Sequence, residues 1–216
     1  MIKIVEENEF FLVLVKPATY SVHNQKPSLV EELTAKKKPI HFVNRLDQET
    51  SGLMVVAKLP EYHEDLAQSL QEGRKLYRGL LRGPWKQKSD KLILTKPLSD
   101  KAEGRKNPQG LADDRSPCET HLEKVRSNAY FTEVVAEIMT GRQHQIRKHC
   151  ALIKQPLVGD KRYNDKDYNA RIGKLYGVER MHLHAEKLEF KFKNKNYEFK
   201  NAYSVDLFFK ELPKKD

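Results

Sequence analysis

Apolar positions along the chain come in two patterns: short unbroken runs, and stretches with helical or two-residue spacing. Phe10 to Val15 is an unbroken run closed by Lys16-Pro17, which predicts a strand covered on both faces. Residues 18–23 read as a loop. Ser28-Leu29-Val30-Glu31 is a capping box, so a short helix opens there with Leu29, Val30 and Leu33 on its apolar side. Leu53 to Ala57 is a second covered strand. Pro60 opens a helix to about Gln71, with Tyr62, Leu66 and Leu70 at four-residue spacing and Gly73 as its stop. Lys75 to Arg82 is a strand ended by Gly83-Pro84.

Residues 85–118 show little periodicity and predict a hairpin or extended loops, with Glu103 to Arg115 mobile. Tyr130 to Met139 alternates as a strand does. Tyr130, Thr132, Val134, Ala136 and Ile138 share one face; Phe131, Glu133, Val135, Glu137 and Met139 share the other. Thr140-Gly141 breaks it, and a helix is expected from near Arg142, with Ile146, Cys150 and Ile153 turned inward. Residues 164–180 read as a polar connection, 181–192 as a strand, Tyr197 to Lys200 as its hairpin partner, and Ser204 to Phe209 as a short amphipathic end piece. No internal repeat is present.

Composition narrows the function classes. The 216 residues fit one ordinary domain, read as 1–216 with a flexible tail at 211–216. A net charge of +10 points to a polyanionic partner. Cys118 and Cys150 make neither a disulfide framework nor a zinc spacing, which suits a reduced, cytoplasmic protein. The N-terminus is too acidic for a signal peptide, and no apolar run nears the ~20 residues that span a bilayer. His144 and His149 stand five apart and so miss the one-face spacing of H-x-x-x-H; no metal is expected. The run Lys36-Lys37-Lys38 reads as a solvated tip.

The chemistry concentrates in two stretches. In 41–58, HFVNRLDQETSGLMVVAK, Arg45-Leu46-Asp47 is followed by a polar turn and then the covered strand. A carboxylate on a loop beside such a strand is held by scaffold yet open to a ligand. Alone, R-x-D reads as a surface turn. In 141–163, GRQHQIRKHCALIKQPLVGDKRY, Arg142, Gln143, His144 and Arg147 cluster where a helix starts, a place that favours anions.

Together these stretches resemble the RluA-like RNA pseudouridine synthases, whose signatures read H-R-L-D-x-x-T-S-G-L and G-R-x-H-Q-I-R-x-H, then G-D-x-x-Y. Arg45, Leu46, Asp47, Thr50, Ser51, Gly52 and Leu53 match the first; Gly141, Arg142, His144, Gln145, Ile146, Arg147, His149, Gly159, Asp160 and Tyr163 match the rest. Lys16, Pro17, Val22 and His23 match an earlier K-P-x-G-x-x-V-H block, Tyr77, Leu80 and Gly83 a Y-x-x-L-x-x-G strand, and Leu183, His184 and Ala185 an L-H-A block. Asn44 stands where the family has histidine, and Thr19 and Lys154 where it has glycine.

The resemblance covers roughly residues 10–192. It implies an α+β fold, with a central, mostly antiparallel curved mixed sheet and helices and loops around an RNA-binding cleft. It implies isomerisation of uridine to pseudouridine in tRNA or 23S rRNA after base flipping, with no cofactor. Asp47, Tyr77 and Arg147 are the implied catalytic residues, with Arg147 paired to Asp47. Arg45, Arg142, His144, Gln145, Lys16 and His23 are the implied RNA contacts. Only about forty residues precede the first signature, so an N-terminal accessory RNA-binding domain is expected to be absent. A monomer with no obligatory protein partner is expected. His184 is read as a structural histidine. Two other classes stay open on the residues alone: a non-catalytic RNA-binding module, and a nucleic-acid hydrolase, which needs clustered carboxylates for metal ions.

Overall fold

The computed structural model describes residues 2–23, 25–177 and 179–210; the expected tail at 211–216 lies outside them. In chain order the elements are β1 (Lys3–Glu7), β2 (Phe11–Lys16), α1 (Leu29–Ala35), β3 (His41–Phe42), β4 (Ser51–Ala57), α2 (His63–Glu72), β5 (Arg74–Arg82), β6 (Lys91–Leu94), β7 (Leu98–Ser99), β8 (Arg115–Ser116), β9 (Thr120–Ser127), β10 (Phe131–Ile138), α3 (Gln145–Leu152), α4 (Lys166–Tyr176), β11 (Leu183–Phe192) and β12 (Lys195–Lys200).

Ten strands form one mixed sheet in the order β1-β2-β4-β11-β5-β10-β9-β6, with β12 also on β11 and β3 on β4. All pairings are antiparallel except β4 with β11. That parallel register sets Ser51 opposite His184 and Gly52 opposite Ala185. Gly52 has φ +122, and a Cβ there would stand 2.4 Å from the Ala185 backbone, so only glycine admits this approach.

Both faces of the sheet are covered, which is why β2 and β4 are unbroken apolar runs rather than alternating ones. On one face Leu12, Leu14, Met54, Val56 and Ala136 pack with Leu29 and Leu33 of α1 and Ile146 and Cys150 of α3. On the other, Phe11, Val13, Leu53 and Val55 pack with Leu66 and Leu70 of α2 and with Leu188, Phe190 and Phe192. Ser28 caps α1, its hydroxyl accepting from the Glu31 N–H.

Three segments differ from the sequence reading. The polar connection at 164–180 contains α4. Asp165 caps it by accepting from the Tyr168 N–H (3.1 Å), and Gly177 ends it at φ +65. Its inward stripe is narrow, Tyr168 and Ile172 one turn apart followed by Tyr176, so polar composition masked a one-sided helix. The helix expected from Arg142 starts three residues later, because 141–144 form a turn with His144 left-handed at φ +56. In 85–118, β7 and β8 pair at the base of a loop. That loop is tied down where Lys148 Nζ donates to the Ser99 and Lys101 carbonyls and Arg162 to those of Ala102 and Glu103.

The family departures have physical counterparts. Thr19 (φ +78) and Lys154 (φ +59) occupy the left-handed region that glycine adopts freely. Each costs about 1–2 kcal/mol in backbone strain. Asn44 Oδ1 accepts from the Val55 N–H (2.8 Å) and so serves the edge of β4. Among the described residues no helix is long and apolar enough to cross a membrane.

Candidate active site

Asp47 lies on the loop between β3 and β4. The loop is fixed from three sides. Thr50 N–H donates to the Asp47 carbonyl (3.0 Å), Thr19 N–H donates to the Gln48 carbonyl (2.9 Å), and Lys16 Nζ donates to the same oxygen (2.9 Å). The Asp47 side chain keeps 23% of its surface open. It faces a recess of about 90 Å³ together with Arg45, Tyr77, Arg142, His144 and Arg147. The recess is the floor of a wider cleft of about 800 Å³, which His23 also lines. A separate cavity of about 300 Å³ lies between the 158–161 loop and α4.

Arg147, on α3, is the electrostatic centre. Its side chain is 1% exposed and touches three carboxylates. Nη1 donates to Asp47 Oδ2 (3.0 Å) and Glu49 Oε2 (3.2 Å). Nε and Nη2 donate to the two oxygens of Asp160 (2.8 and 3.0 Å). The two-point grip therefore falls on Asp160, which is fully buried, and Asp47 takes a single bond. Burial opposes the Arg147 charge, but the Asp160 hydrogen bonds and the three negative charges outweigh it and push its pKa up.

His144 stands between the recess and Tyr163. Its Nδ1 lies 3.0 Å from the Tyr163 hydroxyl, and its Nε2 lies 3.7 Å from Asp47 Oδ1. Burial pushes the His144 pKa down despite the neighbouring Asp47, and burial pushes the Tyr163 phenol up. His144 Nδ1 and the Tyr163 hydroxyl share one hydrogen bond, in which either can donate according to the imidazole tautomer, and Nε2 is the ring nitrogen nearer Asp47.

Tyr77, on β5, is buried within this floor. Burial and then the Asp47 charge push its phenol up, so it stays protonated at neutral pH and offers a ring face and an O–H. Arg45 is exposed at the lip. Arg142 lines both recess and cleft, and its Nε is buried with no hydrogen-bond partner among the described residues. His23 is exposed at the outer cleft, edge-on to Phe42.

Two of the expected RNA contacts are placed differently. Lys16 is fully buried, and its ammonium donates to the carbonyls of Pro17 (2.9 Å), Tyr20 (2.8 Å) and Gln48 (2.9 Å). No hydrogen is left for a phosphate. Burial lowers its pKa to about 8. Gln145 is also buried; its Nε2 donates to the Glu119 carbonyl (2.8 Å) and to Thr120 Oγ1 (2.9 Å), while its Oε1 accepts from the Thr140 hydroxyl and the Arg142 N–H. Both shape the walls from behind.

Sequence reasoning gave Asp160 and Tyr163 no role, although G-D-x-x-Y marked their positions. Behind the loop, Arg180 Nη2 donates to Ser51 Oγ (2.6 Å), Ser51 Oγ lies 2.7 Å from His184 Nδ1, and His184 Nε2 meets Asn201 (3.0 Å). His184 is thus a satisfied structural histidine that ties the start of β4 to β11.

The described residues form a ten-stranded mixed sheet with four helices, and a carboxylate, a tyrosine and an arginine line the floor of its cleft. Two solved structures share the fold. Human RNA pseudouridylate synthase domain containing 4 superposes with a TM-score of 0.76 at 20% identity, over 95% of this chain and 90% of that one. Human RNA pseudouridylate synthase domain containing 1 gives 0.74 at 21%, over 94% and 84%.

The chain belongs to the RNA pseudouridylate synthase family, whose model matches residues 10–152. It is 32% identical over 197 residues to ribosomal large subunit pseudouridine synthase C of Vibrio parahaemolyticus, and 31% identical over 196 residues to that of Escherichia coli. These matches take in 87% of this chain but only 60% and 61% of those proteins.

Proposed function

We propose that the protein isomerises uridine in RNA to pseudouridine, with Asp47 as the reacting carboxylate. The bond from ribose C1′ to uracil N1 breaks, the base turns, and C1′ joins C5. The C5 hydrogen is lost as a proton and N1 regains one, so nothing is oxidised and no cofactor is required. The observation that carries this reading is the single hold on Asp47. Arg147 holds Oδ2, Oδ1 stands 3.7 Å from His144 Nε2, and Asp47 lines the same recess as Tyr77. Oriented but half-open, the carboxylate can meet a base or sugar lifted out of its stack, a step that costs a few kcal/mol. Arg45 at the lip is placed to occupy the space the base leaves. Tyr77, protonated, suits stacking on the uracil better than taking up its proton. The names of the curated relatives favour a uridine of large-subunit rRNA over one in tRNA.

The test uses RNA labelled with tritium at uridine C5. Wild-type protein releases the label. Asp47→Asn binds the RNA and melts as wild type does, because Arg147 keeps Asp160 and Glu49, but it releases none. Release by the purified variant refutes the role of Asp47. Mapping pseudouridine in rRNA from a deletion strain identifies the site, and an unchanged rRNA pattern with a lost tRNA modification would overturn the choice of target.

A further inference from the structure

Three lysines near the cleft withdraw their ammonium groups from solvent, and they are not alike. Lys16 donates to three carbonyls and is closed off. Lys148, also fully buried, donates to the Ser99 and Lys101 carbonyls at 2.7 Å each, with Ser99 Oγ at 3.5 Å. Lys75, on β5, is half-buried, and its Nζ donates to the carbonyls of Leu70 (2.5 Å) and Gln71 (3.3 Å). These belong to the last turn of α2, the negative end of the helix dipole. An ammonium has three hydrogens, so one remains, and no described residue takes it.

Lys75 also lacks a counter-ion. Among the described residues no carboxylate stands within ion-pair distance of it. Glu137 acts on it from further away and is itself held by Arg74 at 2.8 and 3.1 Å. Burial lowers the Lys75 pKa. Cations withdrawn from water are ordinarily paired. Lys75 lines the same cleft as Asp47 and lies two residues from Tyr77. On a strand that spacing puts both side chains on one face, about 7 Å apart.

We propose that Lys75 is a phosphate-binding residue of the cleft, taking one backbone phosphodiester of the RNA strand beside the nucleotide that lies over Tyr77. The inference rests on the RNA reading given above. The end of α2 holds the ammonium in place before the ligand arrives, so little side-chain freedom is lost on binding. A lysine acts on a phosphate as a point charge, which a single free N–H serves.

Binding of a uridine-containing RNA stem-loop is measured between about 50 and 200 mM salt for wild type, Lys75→Gln, Lys75→Met and Lys75→Arg. Lys75→Gln keeps a donor for the α2 carbonyls and removes only the charge, so it stays informative if Lys75→Met unfolds. The plot of log affinity against log salt becomes shallower by about one for Gln and Met, while Arg keeps the wild-type slope. A wild-type slope in Lys75→Gln shows that the lysine only tethers α2, and the proposal falls alone. Absence of salt-dependent RNA binding in wild type brings down the RNA reading and the proposal together.

Discussion

Replacing Asp160 by asparagine keeps the shape of the side chain and removes its charge. Asp160 is fully buried and receives both arms of a guanidinium that is 1% exposed, at 2.8 and 3.0 Å. Its Oδ1 also accepts from the Arg162 and Tyr163 N–H groups (2.9 and 3.0 Å). In Asp160→Asn one oxygen becomes an NH₂ facing an N–H, with nothing to accept. Removing one partner of a buried pair costs ~3–5 kcal/mol. Here Asp47 and Glu49 still compensate part of the Arg147 charge, so the lower end, ~3 kcal/mol, is expected. For a chain of this length 1 kcal/mol shifts Tm by about 2–4 °C, giving a fall of roughly 6–12 °C. The assay is thermal melting followed by circular dichroism, with urea unfolding as a second measure. Arg147→Lys should fall in the same direction, since one ammonium cannot make two parallel bonds. Turnover on RNA should drop in both variants, because the cation at position 147 then meets Asp47 without its two-point anchor on Asp160. A melting point for Asp160→Asn within about 2 °C of wild type would falsify the view that Asp160 holds Arg147 in place.

Tyr77→Phe keeps the ring face and should bind RNA nearly as wild type does while turning over more slowly. Tyr77→Ala should lose about 1–3 kcal/mol of stacking, roughly 5–150-fold in Kd; full activity in both variants reduces Tyr77 to a packing residue. His182 supplies a pH dependence. Burial, then Arg180, lowers its pKa to about 3 from the ordinary 6.5, with Nδ1 on the Tyr203 hydroxyl (2.6 Å) and Nε2 without a partner among the described residues. Between those values the unfolded chain binds the extra proton, so stability is full above about 6.5 and falls as pH drops toward 3. From pH 7 to 5 this one group should remove on the order of 2 kcal/mol. Urea unfolding at both pH values should show that loss reduced in His182→Gln, and an equal loss in both proteins counts against a neutral buried imidazole.

The covered strands β2 and β4 were legible in the sequence because a strand hidden on both faces must be apolar at every position, and β5 because Gly83-Pro84 ends it. Two dense motifs placed Asp47 and Arg147 in one site across 100 residues. Elements whose cause lies elsewhere in the fold were not legible. The α4 helix hides its narrow stripe under C-terminal residues such as Val205 and Phe208, which no local window contains. Lys16 and Gln145 read as surface polar residues because a side chain's type does not reveal which carbonyls will surround it.

The same holds for the site's electrostatics. The sequence alone determined that Asp47 and Arg147 occur in the right motifs and that the chain is basic. Only the tertiary structure decided that Arg147 gives its fork to Asp160 and a single bond to Asp47, and that Lys75, which lines the cleft, finds two acceptors among the described residues where Lys16 finds three. The physical reason is that hydrogen-bond partners and burial are properties of several chain segments meeting at one place. A residue's own neighbours in sequence carry no record of them.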